Sequence, residues 1–190
     1  MADPVLEEVK QGFAVSDIAA VVITTAAKSY LIHTGSEANF RASVAAGTEK
    51  ELRKKNTILA LNKTDDLVKG YDIDLTDLLV HPEVLALIDG GVATFETEAF
   101  ASYSGPVAGS PVVRTPFTLD IYTEELDTDG NATGYMKFSL KGCKGKPAEF
   151  SLKDGDFWTP KYTIESRPAK GTAPIEISQV TALPTVAVGP

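Results

Sequence analysis

The chain has 190 residues, enough for one domain with a real core, and its 43% hydrophobic and 23% charged residues are ordinary for a globular protein. The 26 acidic and 18 basic side chains leave a net charge of −8, which disfavours a grip on nucleic-acid phosphates, and the single cysteine, Cys143, excludes an internal disulfide framework. No stretch approaches the roughly 18 apolar residues of a membrane span, and Met1-Ala2-Asp3-Pro4 lacks the basic-then-apolar pattern of a secretory signal, so folding in a reducing cytoplasm is expected.

Residues 1–15 carry few pattern signals and read as an N-terminal arm of a single domain spanning 1–190. Residues 48–55 are ambiguous. Thr48 and Glu51 fit a helical capping box, but TILALNK follows directly and reads as a buried strand. A turn at Ala46-Gly47 leading into a charged strand end reconciles the two, so a strand is predicted. In KGYDIDLTDLLV (69–80), Tyr71, Ile73 and Leu75 alternate with Asp72, Asp74 and Thr76, the period of two of a strand with one buried and one wet face. Asp77 is placed with Asp72 and Asp74 on the solvated face.

VHPEVLALIDGG is the one clear helix. Pro82 suits the first turn, Glu83 the positive end of the dipole and Gly90 the C-terminal cap, with Val84, Leu87 and Ile88 on one face and Phe95 as a neighbour. Residues 101–116, rich in Gly and Pro, read as a long loop, and loops of that length generally have a job. Alternation returns at Phe117, Leu119 and Ile121, again at Met136, Phe138 and Leu140, and more weakly at Tyr162/Ile164 and Ile175/Ile177. Asp129-Gly130-Asn131 between the first two runs reads as a hairpin turn. Residues 167–190 hold four prolines and read as a C-terminal segment. The fold class is therefore mainly β, a sandwich or barrel-like sheet with one short flanking α-helix.

Catalytic patterns are sparse. His33 and His81 lie in separate segments, and neither has a second His or a Cys at metal-ligand spacing. Cys143 has no neighbouring His, and no Gly-x-Ser-x-Gly occurs. Gly142–Pro147 departs from a phosphate loop, and Asp127–Asn131 departs from a calcium loop by placing glycine fourth rather than sixth. No enzyme activity, cofactor or metal is expected. The densest basic run, with Arg53 and Lys54, is diluted by Glu49 and Glu51 and fits a solvated strand end or a salt-bridging contact with another subunit.

Several segments together, in order and spacing, resemble the tail tube (major tail) proteins of long-tailed bacteriophages, particularly those of Gram-positive hosts. They are KELRKKNTILALNKTDDLVKGYDIDLTD (50–77), HPEVLALIDGG (81–91), PVAGSPVVRTPFTLDIYTEELDTDGN (106–131), the stretch 134–174 and IEISQVTALP (175–184). The resemblance implies a β-sandwich whose strands complete an inter-subunit barrel in a six-membered ring. Rings stack around a tape-measure protein into a hollow tube, capped by tail-end proteins, through which DNA is ejected without specific binding. It also implies a place in the virion tail after assembly in the host bacterial cytoplasm, with no membrane. The inner tube of a phage-like bacteriocin shares that fold, and a β-sandwich binding module such as an adhesin or decoration domain is the alternative class.

On this reading Tyr103, Val107, Val112 and Arg114 of the 101–116 loop, with Arg53 and Lys54, are candidates for inter-subunit contact. Acidic walls would let DNA pass. Asp72, Asp74, Asp120, Glu124 and Glu125 are the candidates to line the lumen, or alternatively to face outward and keep the subunit soluble.

Overall fold

The computed structural model of the chain describes residues 12–185. Twelve strands and one helix follow in order: β1 Val15–Thr24, β2 Ser29–Ile32, β3 Gly35–Ala45, β4 Glu49–Lys54, β5 Thr57–Lys63, β6 Leu67–Asp77, α1 Pro82–Asp89, β7 Val92–Glu96, β8 Ala99–Ser104, β9 Phe117–Leu126, β10 Ala132–Gly145, β11 Lys161–Ser166 and β12 Ile175–Val180. The protein is mainly β. Eight strands form one antiparallel sheet in the order β2-β1-β9-β10-β11-β6-β3, with β12 also on β10, while β4-β5 and β7-β8 are separate two-stranded ribbons.

The sheet branches at β10. Residues 135–140 of that strand pair with β12, whereas Cys143, Lys144 and Gly145 pair with β11. The register shifts between Leu140 and Cys143 mark the bend that re-aims the strand. The sheet also curls. Three strand spacings separate β10 from β3, about 14 Å in a flat sheet, yet the rings of Phe40 and Phe138 stack at 6.1 Å. Gly35 at the start of β3 lies against β1, where a Cβ would stand only 2.8 Å from Val21 Cγ2. Among the described residues no ladder joins β3 to β1 or β2, so the curl does not close into a barrel within the chain.

The concave side holds one apolar cluster, including Val21, Ile23, Ile73, Leu75, Leu119, Ile121, Leu140, Tyr162 and Ile164. Ile73, Leu75, Leu119, Ile121 and Leu140 are inward positions that the period-two patterns in β6, β9 and β10 predict, and Tyr162 and Ile164 follow the weaker pattern of β11. Burial of side chains of this size is worth roughly 1.5–3 kcal/mol each. Helix α1 covers one end of the cluster with Val84, Leu85 and Ile88. Leu87, predicted for the inner face, is only partly buried, and Leu85 holds that place. Gly90 ends the helix at φ 85°, the left-handed conformation glycine adopts without strain. Gly145 lets the helix sit directly on β10, because a Cβ there would stand 2.1 Å from the Ile88 carbonyl oxygen.

Several expectations change. The turn of the first ribbon lies at Lys55-Asn56 rather than Ala46-Gly47, and β5, expected to be buried, is exposed along its whole length. Residues 101–104 belong to β8, so the connecting loop runs only from 105 to 116. Asp77 is buried, because it continues the inward series 71, 73, 75 rather than the outward one. Most of the proposed N-terminal arm lies outside the described residues, and Val15 already belongs to β1. The C-terminal segment contributes β12 to the sheet.

Candidate functional site

The polar face of the sheet is a lattice of ion pairs. Asp72 meets Arg167 at 2.6 Å, and Asp74 meets Arg41 at 2.5 Å. Asp120 meets Lys137 at 2.9 Å. Burial pulls the Lys137 pKa down, but the Asp120 hydrogen bond and charge outweigh it, and the net direction is up. Three of the five candidate lumen carboxylates thus carry a cation on the same face. Glu124 and Glu125 are neighbours in β9 and point to opposite faces. Glu125 is buried and accepts a hydrogen bond from the Gln179 amide, whereas Glu124 is half-buried, with no ion pair among the described residues. The five carboxylates therefore do not form one surface.

The contact candidates separate in the same way. The Tyr103 hydroxyl donates to Asp89 Oδ2 inside the chain, and burial, then this hydrogen bond, push its pKa up. Asp89 is itself buried at the helix C-terminus and accepts a second bond from the Ala148 N–H at 2.7 Å. Val112 covers Gly90, where a Cβ would stand 2.4 Å from its side chain, and Arg114 is half-buried. Val107 is exposed, as are Arg53 and Lys54 on β4.

A half-buried polar cluster around the buried Asp77 lies beneath the helix N-terminus. Thr34 Oγ1 donates to Asp77 Oδ1 and stands 3.1 Å from His81 Nε2, which is 3.6 Å from Asp77 Oδ2. Both His81 contacts use the same ring nitrogen. A nucleophilic relay needs the base to face hydroxyl and carboxylate with opposite nitrogens, so this cluster ties the β6–α1 junction together instead. The described residues contain no group of three or more His, Cys, Asp or Glu that could hold a metal. The Cys143 thiol is buried, and burial pushes its pKa up to about 12, which keeps it from acting as a thiolate.

What stands out is apolar surface without a partner. In the β4-β5 ribbon Leu52, Ile58, Leu59 and Leu61 are all more than half exposed, and every residue of both strands is exposed. Cross-strand pairing puts Ile58 beside Arg53 and Leu61 beside Glu51 on one face and Leu52 on the other, with Leu59 at the register shift, so the ribbon offers aliphatic side chains on both sides. At its base Leu67 and Val68 are exposed as well. The β7-β8 ribbon differs, because it lies against α1 and is fastened by Tyr103. A second exposed group, Phe150, Leu152 and Phe157, lies in the 147–160 loop. Sequence reasoning missed both groups. TILALNK reads as a buried strand from its apolarity, and the 147–160 stretch is assigned no element.

No protein-family model matches the chain, and no curated protein sequence matches it.

Proposed function

We propose that this chain is a self-assembling tail tube subunit, which joins copies of itself into stacked six-membered rings forming the hollow conduit for DNA ejection from a phage tail. The observation that carries this reading is the β4-β5 ribbon, exposed on both faces and holding four large aliphatic side chains that no other described residue covers. An isolated two-stranded hairpin is marginal in water. Covering half-exposed aliphatics would contribute about 1 kcal/mol each, so a neighbouring copy is the natural source of stability. The curled sheet, read as a sandwich, supports it further. Among the described residues the outer borders of β2, β3 and β12 are unpaired backbone, and a ring of copies would complete them into one barrel.

The other partners follow from that assembly: a tape-measure protein inside the tube, tail-end proteins at its tips, and DNA in passage. The ion pairs at Asp72, Asp74 and Asp120 make a wall of balanced charge, which would repel DNA less than five free carboxylates but would not hold it. Negative-stain microscopy and sedimentation over a concentration series test the reading. Rings or hollow tubes are expected, and replacing residues 49–63 with a short glycine turn should leave a folded monomer. A wild-type chain that stays monomeric at its highest soluble concentration removes the proposal.

A further inference from the structure

Building on the tail tube reading, we propose that the β4-β5 ribbon of one copy docks on the aromatic 147–160 loop of the next. The register of β6 puts these two features at opposite ends of the subunit. The ribbon enters β6 at Leu67, while Lys161 pairs with Thr76 and the Asp77 N–H donates to the Pro160 carbonyl at 3.0 Å. Eleven residues of strand lie between, about 35 Å at 3.2–3.4 Å per residue. Within one copy the two surfaces face away from each other. Between copies arranged head to tail they meet.

Their chemistry is complementary. Residues 49–63 carry five basic side chains against two acidic ones, and 147–160 carry three acidic against one basic. Arg53 is occupied by Glu51, but Lys54 and Lys55 at the ribbon tip have no ion pair among the described residues, and neither have Asp154 and Asp156. The apolar parts also correspond. Phe157 is 92% exposed and Leu152 78%, and Phe150 leans on Trp158 with ring centroids 5.2 Å apart. Beside them a groove of about 380 Å³ runs between Glu149, Asp156 and Trp158. Ile58 and Leu61, which share one face of the ribbon, are of a size to enter it. Two unlike surfaces on one chain make a contact that repeats without closing on a pair, as a tube requires.

Cross-linking and charge reversal test this. Cys143 is buried, so Leu61→Cys and Phe157→Cys can be introduced as reactive thiols. Mixing the two single variants in assembled tubes with a short bismaleimide should give a cross-linked dimer that neither variant gives alone, and the double variant should give a ladder. Lys54→Glu with Lys55→Glu should raise the concentration needed for assembly about tenfold, equivalent to about 1.4 kcal/mol, as should Asp154→Lys with Asp156→Lys. Combining all four reversals should restore most of the loss, with circular dichroism confirming the fold of each variant. If tubes form but give no cross-link, and the loop reversals assemble like wild type while loss of the ribbon blocks assembly, the ribbon docks elsewhere and the tail tube reading stands. If wild type forms no tubes, that reading itself fails.

Discussion

Strands β5 and β6 are neighbours in sequence and similar in apolar content, yet they occupy opposite environments. In β6, Ile73 and Leu75 are essentially inaccessible, whereas in β5 Ile58, Leu59 and Leu61 are each more than half exposed. The difference lies in the pattern rather than the composition. β6 alternates apolar and charged residues, so one face can enter a core while Asp72 and Asp74 find Arg167 and Arg41 on the other. The β4-β5 ribbon has aliphatics on both faces, Leu52 on one and Ile58 and Leu61 on the other, and no layer of the described residues on either side. Period-two alternation describes a strand half-buried in its own subunit. On the proposed reading, the exposed aliphatics of the β4-β5 ribbon belong to an interface with another copy.

Matched truncations would break that comparison if it is wrong. Ile73→Ala removes a fully buried side chain and should destabilise the free subunit by about 2–5 kcal/mol, read by urea denaturation. Leu59→Ala in the same assay should stay within about 0.5 kcal/mol and instead raise the concentration at which assembly begins. Equal losses in the monomer would mean that the ribbon is part of the core.

The same contrast explains what the sequence revealed. Inward residues of β6, β9 and β10, the turn at Gly130 and the helix from Pro82 to Gly90 were legible, because each is encoded locally by alternation, turn chemistry or capping. Strand β1 was not, because register shifts between Val15 and Ala20 interrupt its alternation and Ala20 and Val21 are both buried. Asp77 could have been read correctly, since counting in twos from Ile73 places it inward. The exposure of β5 could not. Apolarity says that a segment will be covered, and not which molecule covers it. Among the candidate residues, Tyr103 was noticed for its type and place, but its role depends on Asp89, fourteen positions away, which no local pattern connects to it.

That hydrogen bond gives the next, smaller test, and it concerns the ribbon that is fastened rather than free. A carboxylate at a helix C-terminus meets the negative end of the dipole, so Asp89 depends on the Tyr103 hydroxyl and the Ala148 N–H for compensation. Asp89→Ala should cost about 1–3 kcal/mol, since it leaves the Tyr103 hydroxyl without its partner. Tyr103→Phe should cost less, and the double variant should cost less than the sum of the two. Strict additivity in this cycle would mean that β7-β8 is held to α1 by packing alone, which would narrow its distinction from β4-β5.

The smallest effect is expected where two hairpin tips differ. The β4-β5 tip turns on Lys55 at φ 55°, with no side-chain tie among the described residues. The β9-β10 tip is locked by Asp127, whose Oδ1 accepts the N–H groups of Asn131 at 2.8 Å and Asp129 at 2.9 Å. The Asn131 backbone hydrogen bond, chiefly, holds the Asp127 pKa below its ordinary value. A depressed carboxylate adds stability that is present above its unfolded pKa and disappears as pH falls through the folded one. The Asn131 amide resonance should therefore titrate with a midpoint below that of an unstructured Asp peptide, and its hydrogen exchange should quicken through the same interval. The Lys55 and Asn56 amides should exchange rapidly throughout in the free subunit and become protected only in tubes. An Asp127 midpoint at the peptide value would leave Gly130 alone to shape that turn, and equal protection at both tips before assembly would mean that the β4-β5 ribbon is already ordered without a partner.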